Sequence, residues 1–447
     1  MMDRVEEIYR DILTRAPEHR VQPSLERVEA VCELLGDPQR AFRTIHLTGT
    51  NGKTSTARMV ERLVAAMGLR TGRFTSPHLH TVRERIAIDG APISPEAFVA
   101  AWEDIAPFVE MVDARSQARG GPRLSFFEVF TLMAFDAFAD APVDVAVVEV
   151  GMGGRWDATN VVEADVAVLT PVDWDHMQWL GSTLREIAGE KVGIIKDGTT
   201  VISAEQREEV AGIIAVAAAQ HGSRLVEEGR DLAVVQRRVG VGGQLLTLRT
   251  PAATYEDVFL PLHGEHQARN ALLALAAVEA FFGGGALPAE AVEEGFAGVT
   301  SPGRLEVVRT SPTVLVDAAH NPHGIRALRD ALDEAFAFRR LVGVVSCMAD
   351  KQAEAMLGEL EPFLDEVVVT GMHSSRAMDP SVLYELAQDV FVDTDRVYLA
   401  PFLADAVDLA AARAEAEGDP AGTAGVLVVG SVLLAAEARA LLGRTEA

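Results

Sequence analysis

The segment Gly49-Thr50-Asn51-Gly52-Lys53-Thr54-Ser55 carries the residue types that hold a chain of phosphates. It lies between an apolar run with strand character, TIHLTGT (44–50), and KTSTARMVERLVAAMG (53–68), whose apolar residues fall at helical spacing. In that context backbone N–H groups and a helix N-terminus face phosphate oxygens. Lys53 adds a point charge, and a hydroxyl can reach Mg²⁺. The usual pattern has a glycine five residues before the Gly-Lys pair; Leu47 stands there, so the loop is a shortened form. The bland alternative is an ordinary strand-to-helix turn. A phosphate loop alone does not separate a switch GTPase, a kinase, a motor and a ligase.

Other chemistry-bearing residues fall at predicted strand ends. Glu149 closes the apolar run VDVAVVEVG (143–151). A carboxylate there is costly unless paired or metal-bound, so it is a Mg²⁺ ligand candidate, the alternative being a capping or salt-bridged carboxylate. TPVDWDHMQWLG (170–181) puts Asp173, Asp175 and His176 at the end of the next strand, where a loop histidine is the default. Lys191 and Lys196 in GEKVGIIKDG read as surface lysines at a helix end, and Ser76 in Ser76-Pro77-His78 as a turn serine. Asn270 opens a helix and reads either as an adenine contact or as a helix-surface amide. Arg304, Asp317, His320 and Asn321 follow a break at Ser301-Pro302-Gly303. They are expected to face the first domain across a substrate cleft. No Ser/His/Asp or Cys/His nucleophile arrangement stands out.

These residues need an α/β scaffold. VDVAVVEVG and ADVAVLTPV (164–172) are nearly continuous apolar runs, as in parallel strands buried on both faces. RTGRFTS (70–76) and ERIAIDG (84–90) predict shorter strands. Strand–helix alternation predicts right-handed crossovers. Residues 225–262 read instead as an antiparallel hairpin region, with helices following at 266–282 and 289–298. A second α/β series begins near 300 with TVLVDAAH, RLVGVVSC, EVVVTG, RVYLA and GVLVVGS as strands. Domains are therefore expected at 1–299 and 300–447. The Ala/Glu-rich stretch 403–418 predicts a helix.

The chain has 447 residues, 40 Lys+Arg and 66 Asp+Glu, a net charge of −26. That balance argues against nucleic acid and anionic membranes as partners, though one basic pocket can still take a small anion. Its 49% hydrophobic content excludes disorder as the main state. The two cysteines, Cys32 and Cys347, form no CxxC pair, which suits a reducing compartment. The start MMDRVEEIYRDILTR has no apolar signal core, and no uncharged run reaches the ~18 residues of a membrane span. A soluble cytoplasmic protein is expected.

Taken together, the motifs resemble the folylpolyglutamate synthase/dihydrofolate synthase family of the Mur ligase superfamily. They are HLTGTNGKTS (46–55), TSPHL (75–79), RERI (83–86), FFEV (126–129), EVGMGGRWDATN (149–160), DHMQWLGSTLREIAGEKVGIIK (175–196), GEHQARNA (264–271), PGRLEVV (302–308) and DAAHNPHG (317–324). They run in the family's order over about residues 25 to 430. Three positions depart from the common pattern: GKTS for GKGS, DAAHNP for DGAHNP, and VVGSVLL, which lacks an aromatic after Gly-Ser.

The resemblance implies a phosphate-loop ATPase domain with a mainly parallel sheet and a smaller Rossmann-like C-terminal domain. It implies ATP-dependent addition of L-glutamate to dihydropteroate, to tetrahydrofolate (poly)glutamates, or to both, through an acyl phosphate. It implies that Asn51, Gly52, Lys53, Thr54 and Ser55 cradle ATP, with Asn270, Arg304 and Asp317 as further ATP contacts. Ser76 and Glu149 become ligands of one Mg²⁺ and His176 of a second, with Lys191 as a carbamylated ligand. Arg27, Ser125, Phe126, Phe127, Glu128, Trp156, Asp157 and Ala158 become pterin-side contacts, and His320 and Ser431 lie near the glutamate. Catalysis would rest on Lys53, Lys191 and His320 and on closure of the second domain, which keeps water from the acyl phosphate. The expected partners are these small molecules alone, bound by a monomer. Rival readings are a ligase for UDP-linked cell-wall precursors and a non-catalytic nucleotide binder. The second would have lost Lys53, Glu149 or His176, and all three are present. A GTPase would need an NKxD-type guanine motif, and none is found.

Overall fold

The computed structural model describes residues 1–17, 23–415 and 423–444. The chain divides into two compact units. The first comprises Met1–Arg238, Gly243–Leu262 and His266–Thr300; the second comprises Val239–Gly242, His263–Glu265 and Ser301–Ala447.

The first unit is built on eight strands: β1 (Arg43–Thr48), β2 (Thr71–Phe74), β3 (Ile86–Ile88), β4 (Ala91–Pro92), β5 (Val145–Glu149), β6 (Val166–Leu169), β7 (Thr200–Ser203) and β8 (Leu225–Glu227). Their order is β4-β3-β2-β5-β1-β6-β7-β8. The sheet is parallel from β2 to β8, with β3 and β4 added as an antiparallel edge. Its apolar runs are continuous because both faces are covered. Ile45, Leu47, Val145, Val147, Val166 and Val168 pack with helices Lys53–Ala66 and Glu265–Phe281 on one side. Phe74, Ala146 and Val148 pack with helices Met2–Ile12, Glu26–Leu34, Pro95–Ala118 and Phe126–Asp140 on the other.

A second, three-stranded sheet holds β9 (Ala233–Gly240), β10 (Gly243–Arg249) and β11 (Thr254–Leu260) in the order β11-β10-β9, with β10 and β11 antiparallel. The expected hairpin region therefore begins later than 225. The first short run, β8, joins the parallel sheet because Val226 faces the same core as Ile202.

The second unit holds β12 (Glu306–Thr310), β13 (Thr313–Val316), β14 (Arg340–Val345), β15 (Glu366–Val369), β16 (Val397–Leu399) and β17 (Ala424–Val429). Their order is β12-β13-β17-β14-β15-β16, parallel except for β12. Sequence reading missed β12, a half-exposed edge strand whose apolar signal is diluted by Glu306 and Arg309. The expected helix over 403–418 is Leu403–Ala414, and 416–418 lie outside the described residues.

One buried ion pair ties the phosphate-loop helix to the sheet. Arg73 on β2 donates Nε to Glu61 on helix Lys53–Ala66 (2.6 Å) and Nη1 to Thr75 (2.9 Å), and both charged side chains are only 3% exposed. Removing one member leaves an uncompensated buried charge. We therefore expect Glu61→Leu to lose about 3–5 kcal/mol of stability, and Glu61→Leu with Arg73→Met to regain most of it. Denaturant melts of the three proteins check this; equal losses in the single and double variants would contradict it.

Candidate active site

Register alone assembles the site. Leu47 on β1 lies opposite Glu149 on β5, Thr48 opposite Leu169 on β6, and Phe74 on β2 opposite Val148. The segments leaving these strands, Gly49–Lys53, Val150–Asp157, Thr170–His176 and Thr75–Pro77, therefore start from one edge of the sheet. Ligands of open α/β sheets gather at such a carboxyl edge. Leu47 is fully buried inside β1, so the strand runs on through Thr48 and the loop is short.

Two glycines set the loop's path. Gly49 has φ +148°, and a Cβ there would come within 1.9 Å of Thr170 Oγ1. Gly52 has φ +89°, and its Cβ would meet Asn270 Oδ1 at 2.6 Å. No other residue fits either place without strain. Thr50 then locks the loop to the β6 segment. Its N–H donates to the Pro171 carbonyl (2.9 Å), its hydroxyl to the Asp173 carbonyl (2.9 Å), and it accepts the Asp173 N–H (3.0 Å). Asn270 is buried and donates to Gln267 (3.1 Å), whose amide reaches Ser55 (3.4 Å). It is thus an inward loop-packing amide and not a helix-surface one.

The lysines depart most from their bland reading. Lys191 is buried, and its ammonium donates to the Gly49 carbonyl (2.7 Å). Lys53 donates to the same carbonyl (3.1 Å) and to that of Thr50 (3.2 Å). Burial, reinforced by the Lys53 charge, pushes the Lys191 amine down to about 7. Lys196 is half-buried and bridges the Asn160 and Val162 carbonyls (2.6 Å each). Neither is a surface lysine. Lys53 and Lys191 line a small cleft together with Thr50, Gly151, Asp175 and His176. Asp175 was seen in the sequence as a strand-end residue only.

Glu149 is buried at the end of β5, and Thr54 donates its hydroxyl to both carboxylate oxygens (3.0 and 2.9 Å). Thr54 thus supplies a hydroxyl to that carboxylate. Ser76 follows β2, two residues past the Phe74–Val148 pair. His176 has φ +49° and caps the short helix Met177–Leu180. Its Nε2 lies 3.8 Å from Asp175. Among the described residues, no three His, Cys, Asp or Glu side chains gather as a preformed metal cage.

The residues singled out on the pterin side also come together. Helix Glu26–Leu34, helix Phe126–Asp140 and the 3-10 helix Ala158–Val161 pack against one another. Arg27 pairs with Glu128 (2.9 Å), both nearly buried. Ser125 and Glu128 form the capping box of helix Phe126–Asp140, so both carry structural work. Phe126 packs against Phe130 with its ring tilted (4.7 Å between centroids), and Arg85 lies over its ring (5.0 Å). Phe127 covers Gly151, where a Cβ would fall 2.5 Å from its ring. Trp156 packs beside Leu180. Ala158 is buried, and Asp157 accepts the N–H groups of Met152 (2.9 Å) and Thr159 (3.0 Å).

In the second unit, the candidates line that unit's own sheet edge. Asp317 follows β13 and accepts the N–H groups of Leu305 and Ala319 (2.7 Å each), which fixes the turn that carries Arg304. Burial raises its pKa and the Arg304 charge opposes the rise. His320 Nδ1 sits 3.0 Å from the Ala318 carbonyl. Ser431 follows β17 and caps helix Val432–Leu441, and the preceding Gly430 N–H donates to Ala319 (3.1 Å).

Known proteins share this arrangement. The Mur ligase middle domain matches residues 123–278, and the Mur ligase glutamate ligase domain matches residues 303–432. A dihydrofolate synthase/folylpolyglutamate synthase of Mycobacterium tuberculosis is 51% identical over 96% of this chain and 92% of its own length. One of Bacillus subtilis is 34% identical over 82% of this chain and 85% of its own. The structure of M. tuberculosis folylpolyglutamate synthase complexed with ADP and AMPPCP covers all of both chains, with 48% identity and a TM-score of 0.95. The chain belongs to the dihydrofolate synthase/folylpolyglutamate synthase family of Mur-type ligases, enzymes that add glutamate to folates at the expense of ATP.

Proposed function

We propose that this enzyme adds L-glutamate both to dihydropteroate and to tetrahydrofolate (poly)glutamates, through an acyl phosphate. The observation that carries the mechanism is the pair of amines on the Gly49 carbonyl, Lys191 at 2.7 Å and Lys53 at 3.1 Å, inside the cleft. Two cations so close are unfavourable; the Lys191 amine, pushed down to about 7, gives up its proton, and the Lys53 charge faces a polyphosphate laid on Asn51–Ser55. The relative from M. tuberculosis, whose name carries both activities and whose structure holds ADP and AMPPCP, supports the reading.

Each residue then has a task. The N-terminus of helix Lys53–Ala66 binds the phosphates, and Lys53 neutralises charge as the γ-phosphoryl group passes to the acceptor carboxylate. Glu149, Thr54 and Ser76 offer hard oxygen donors suited to one Mg²⁺, and His176 with Lys191 a second position. The donor sets are too small to hold Mg²⁺ alone, as expected of an ion that is completed by water and substrate phosphates. Bound there, Mg²⁺ would stabilise charge on the transferring group. Arg27, Ser125 to Glu128 and Trp156 to Ala158 hold the pterin side. In the second unit Arg304, Asp317 and, on the L-glutamate side, His320 and Ser431 take the roles the family resemblance gives them. Their places at that unit's sheet edge support the assignment.

Lys191 is proposed to carry a carbamate. Carbamylation needs an uncharged amine, and a pKa near 7 makes the free amine available at mildly alkaline pH. The enzyme is proposed to act as a monomer. No described helix is long and apolar enough to cross a membrane. Cys32 and Cys347 are free and buried, in keeping with a cytoplasmic location.

Two outcomes are expected. Phosphate release from ATP, with Mg²⁺ and L-glutamate, should be stimulated by dihydropteroate and by tetrahydrofolate alike. Turnover with one alone assigns the chain to that half, and a preference for a UDP-linked acceptor sinks the folate reading. Lys191→Ala should lower kcat by about a hundredfold or more, the scale of a lost charge-stabilising group. In CO₂-depleted wild-type enzyme, reactivation at equal dissolved CO₂ should be faster at pH 8 than at pH 6, because the neutral amine is the form that adds CO₂ and releases a proton. An unchanged Lys191→Ala rate at saturating Mg²⁺ would refute the assignment.

A further inference from the structure

His46 is a buried side chain that the functional reading leaves without a role. It sits on β1, three residues before Gly49, and is fully buried. Its Nε2 lies 2.8 Å from Thr159 Oγ1, and Thr159 Oγ1 donates to Asp157 Oδ1 at 2.5 Å. Thr159 has one hydroxyl proton, and it goes to the carboxylate. The oxygen must then accept from His46, which fixes the imidazole as the neutral Nε2–H tautomer. Burial agrees, since it pushes the ring down to about 3. His46 Nδ1 has no hydrogen-bond partner among the described residues. An orphaned buried nitrogen is a cost that an apolar residue of similar size would avoid. Packing alone therefore does not account for a histidine here; its one useful group is the donor at Nε2.

The far end of the chain is the loop after β5. Asp157 accepts from Thr159 through Oδ1 and from the Met152 N–H through Oδ2. It thereby holds the backbone of Gly151 and Met152, which lines the cleft beside Lys53 and Lys191. We propose that His46 is a positioning residue that orients the Thr159 hydroxyl onto Asp157, coupling the strand that carries the phosphate loop to the acceptor-side loop. The proposal rests on the assignment of the Asp157 loop to the acceptor side.

Its test compares His46→Gln, which keeps an N–H donor at similar reach, with His46→Leu, which keeps volume and loses the donor. Thr159→Val removes the hydroxyl without changing shape. We expect His46→Leu and Thr159→Val each to raise the KM for the folate acceptor by about tenfold. The KM for ATP and the melting temperature should change little. The double variant should be no worse than either single one, and His46→Gln should recover most of the loss. ¹⁵N NMR of the wild-type histidines should show the His46 ring with a bare Nδ1 and a protonated Nε2, constant from pH 6 to pH 8. A ring protonated at Nδ1, or a His46→Gln enzyme no better than His46→Leu, would overturn the proposal. The NMR readout needs no turnover. It therefore separates failure of this proposal from failure of the functional reading, which would show as a wild-type enzyme inactive on both folate acceptors.

Discussion

The carbonyl oxygen of Gly49 is the point on which the first unit's site converges. Two lysine amines donate to it, from helix Lys53–Ala66 and from the end of helix Leu184–Lys191. That oxygen can present itself only because Gly49 takes φ +148° against Thr170, a path closed to any side chain. Two cations so close to one carbonyl repel each other. The repulsion is relieved by an arriving polyanion, by loss of a proton from Lys191, or by its conversion to an anionic ligand. Each of these is a step a phosphoryl-transfer ligase can use. The glycine conformation, the depressed amine and the chemistry are thus one constraint seen at three levels.

The scaffold exists to bring four strand ends to that point. The buried β5, β1 and β6 put Glu149, the phosphate loop and the Thr170–His176 segment side by side through register alone. Because both faces of these strands are covered, a shift of one residue would bury the wrong side chains as well as misplace the ligands. Thr50 and Asp173 then stitch the two loops together with three hydrogen bonds. The loop after β5 is held in the same way, by the buried Asp157 carboxylate, whose bonds are all local.

Much of this was legible in the sequence, for identifiable reasons. Continuous apolar runs announced the parallel strands, and the Gly-Lys-Thr step announced the loop. Residues that depend on tertiary setting were not. Lys191 and Lys196 read as surface lysines because nothing in their neighbourhood says that the loop after β5 closes over them. Asn270 read either as an adenine contact or as a surface amide, because its neighbour Gly52 is remote in sequence. Ser125 and Glu128 read as ligand contacts, and their capping box shows that the same residues hold a helix end. His46 lies in the most recognisable motif of the chain and was passed over, because its partner Thr159 is supplied from across the sheet.

The state of the Lys191 nitrogen is the most direct measure of the constraint at Gly49. Enzyme equilibrated with ¹³C-bicarbonate at pH 8 in the presence of Mg²⁺ should show a carbamate carbon resonance by NMR, and Lys191→Ala enzyme should lack it. A wild-type enzyme that turns over at full rate with no such resonance would contradict the account. It would leave Lys191 an ordinary amine beside Lys53.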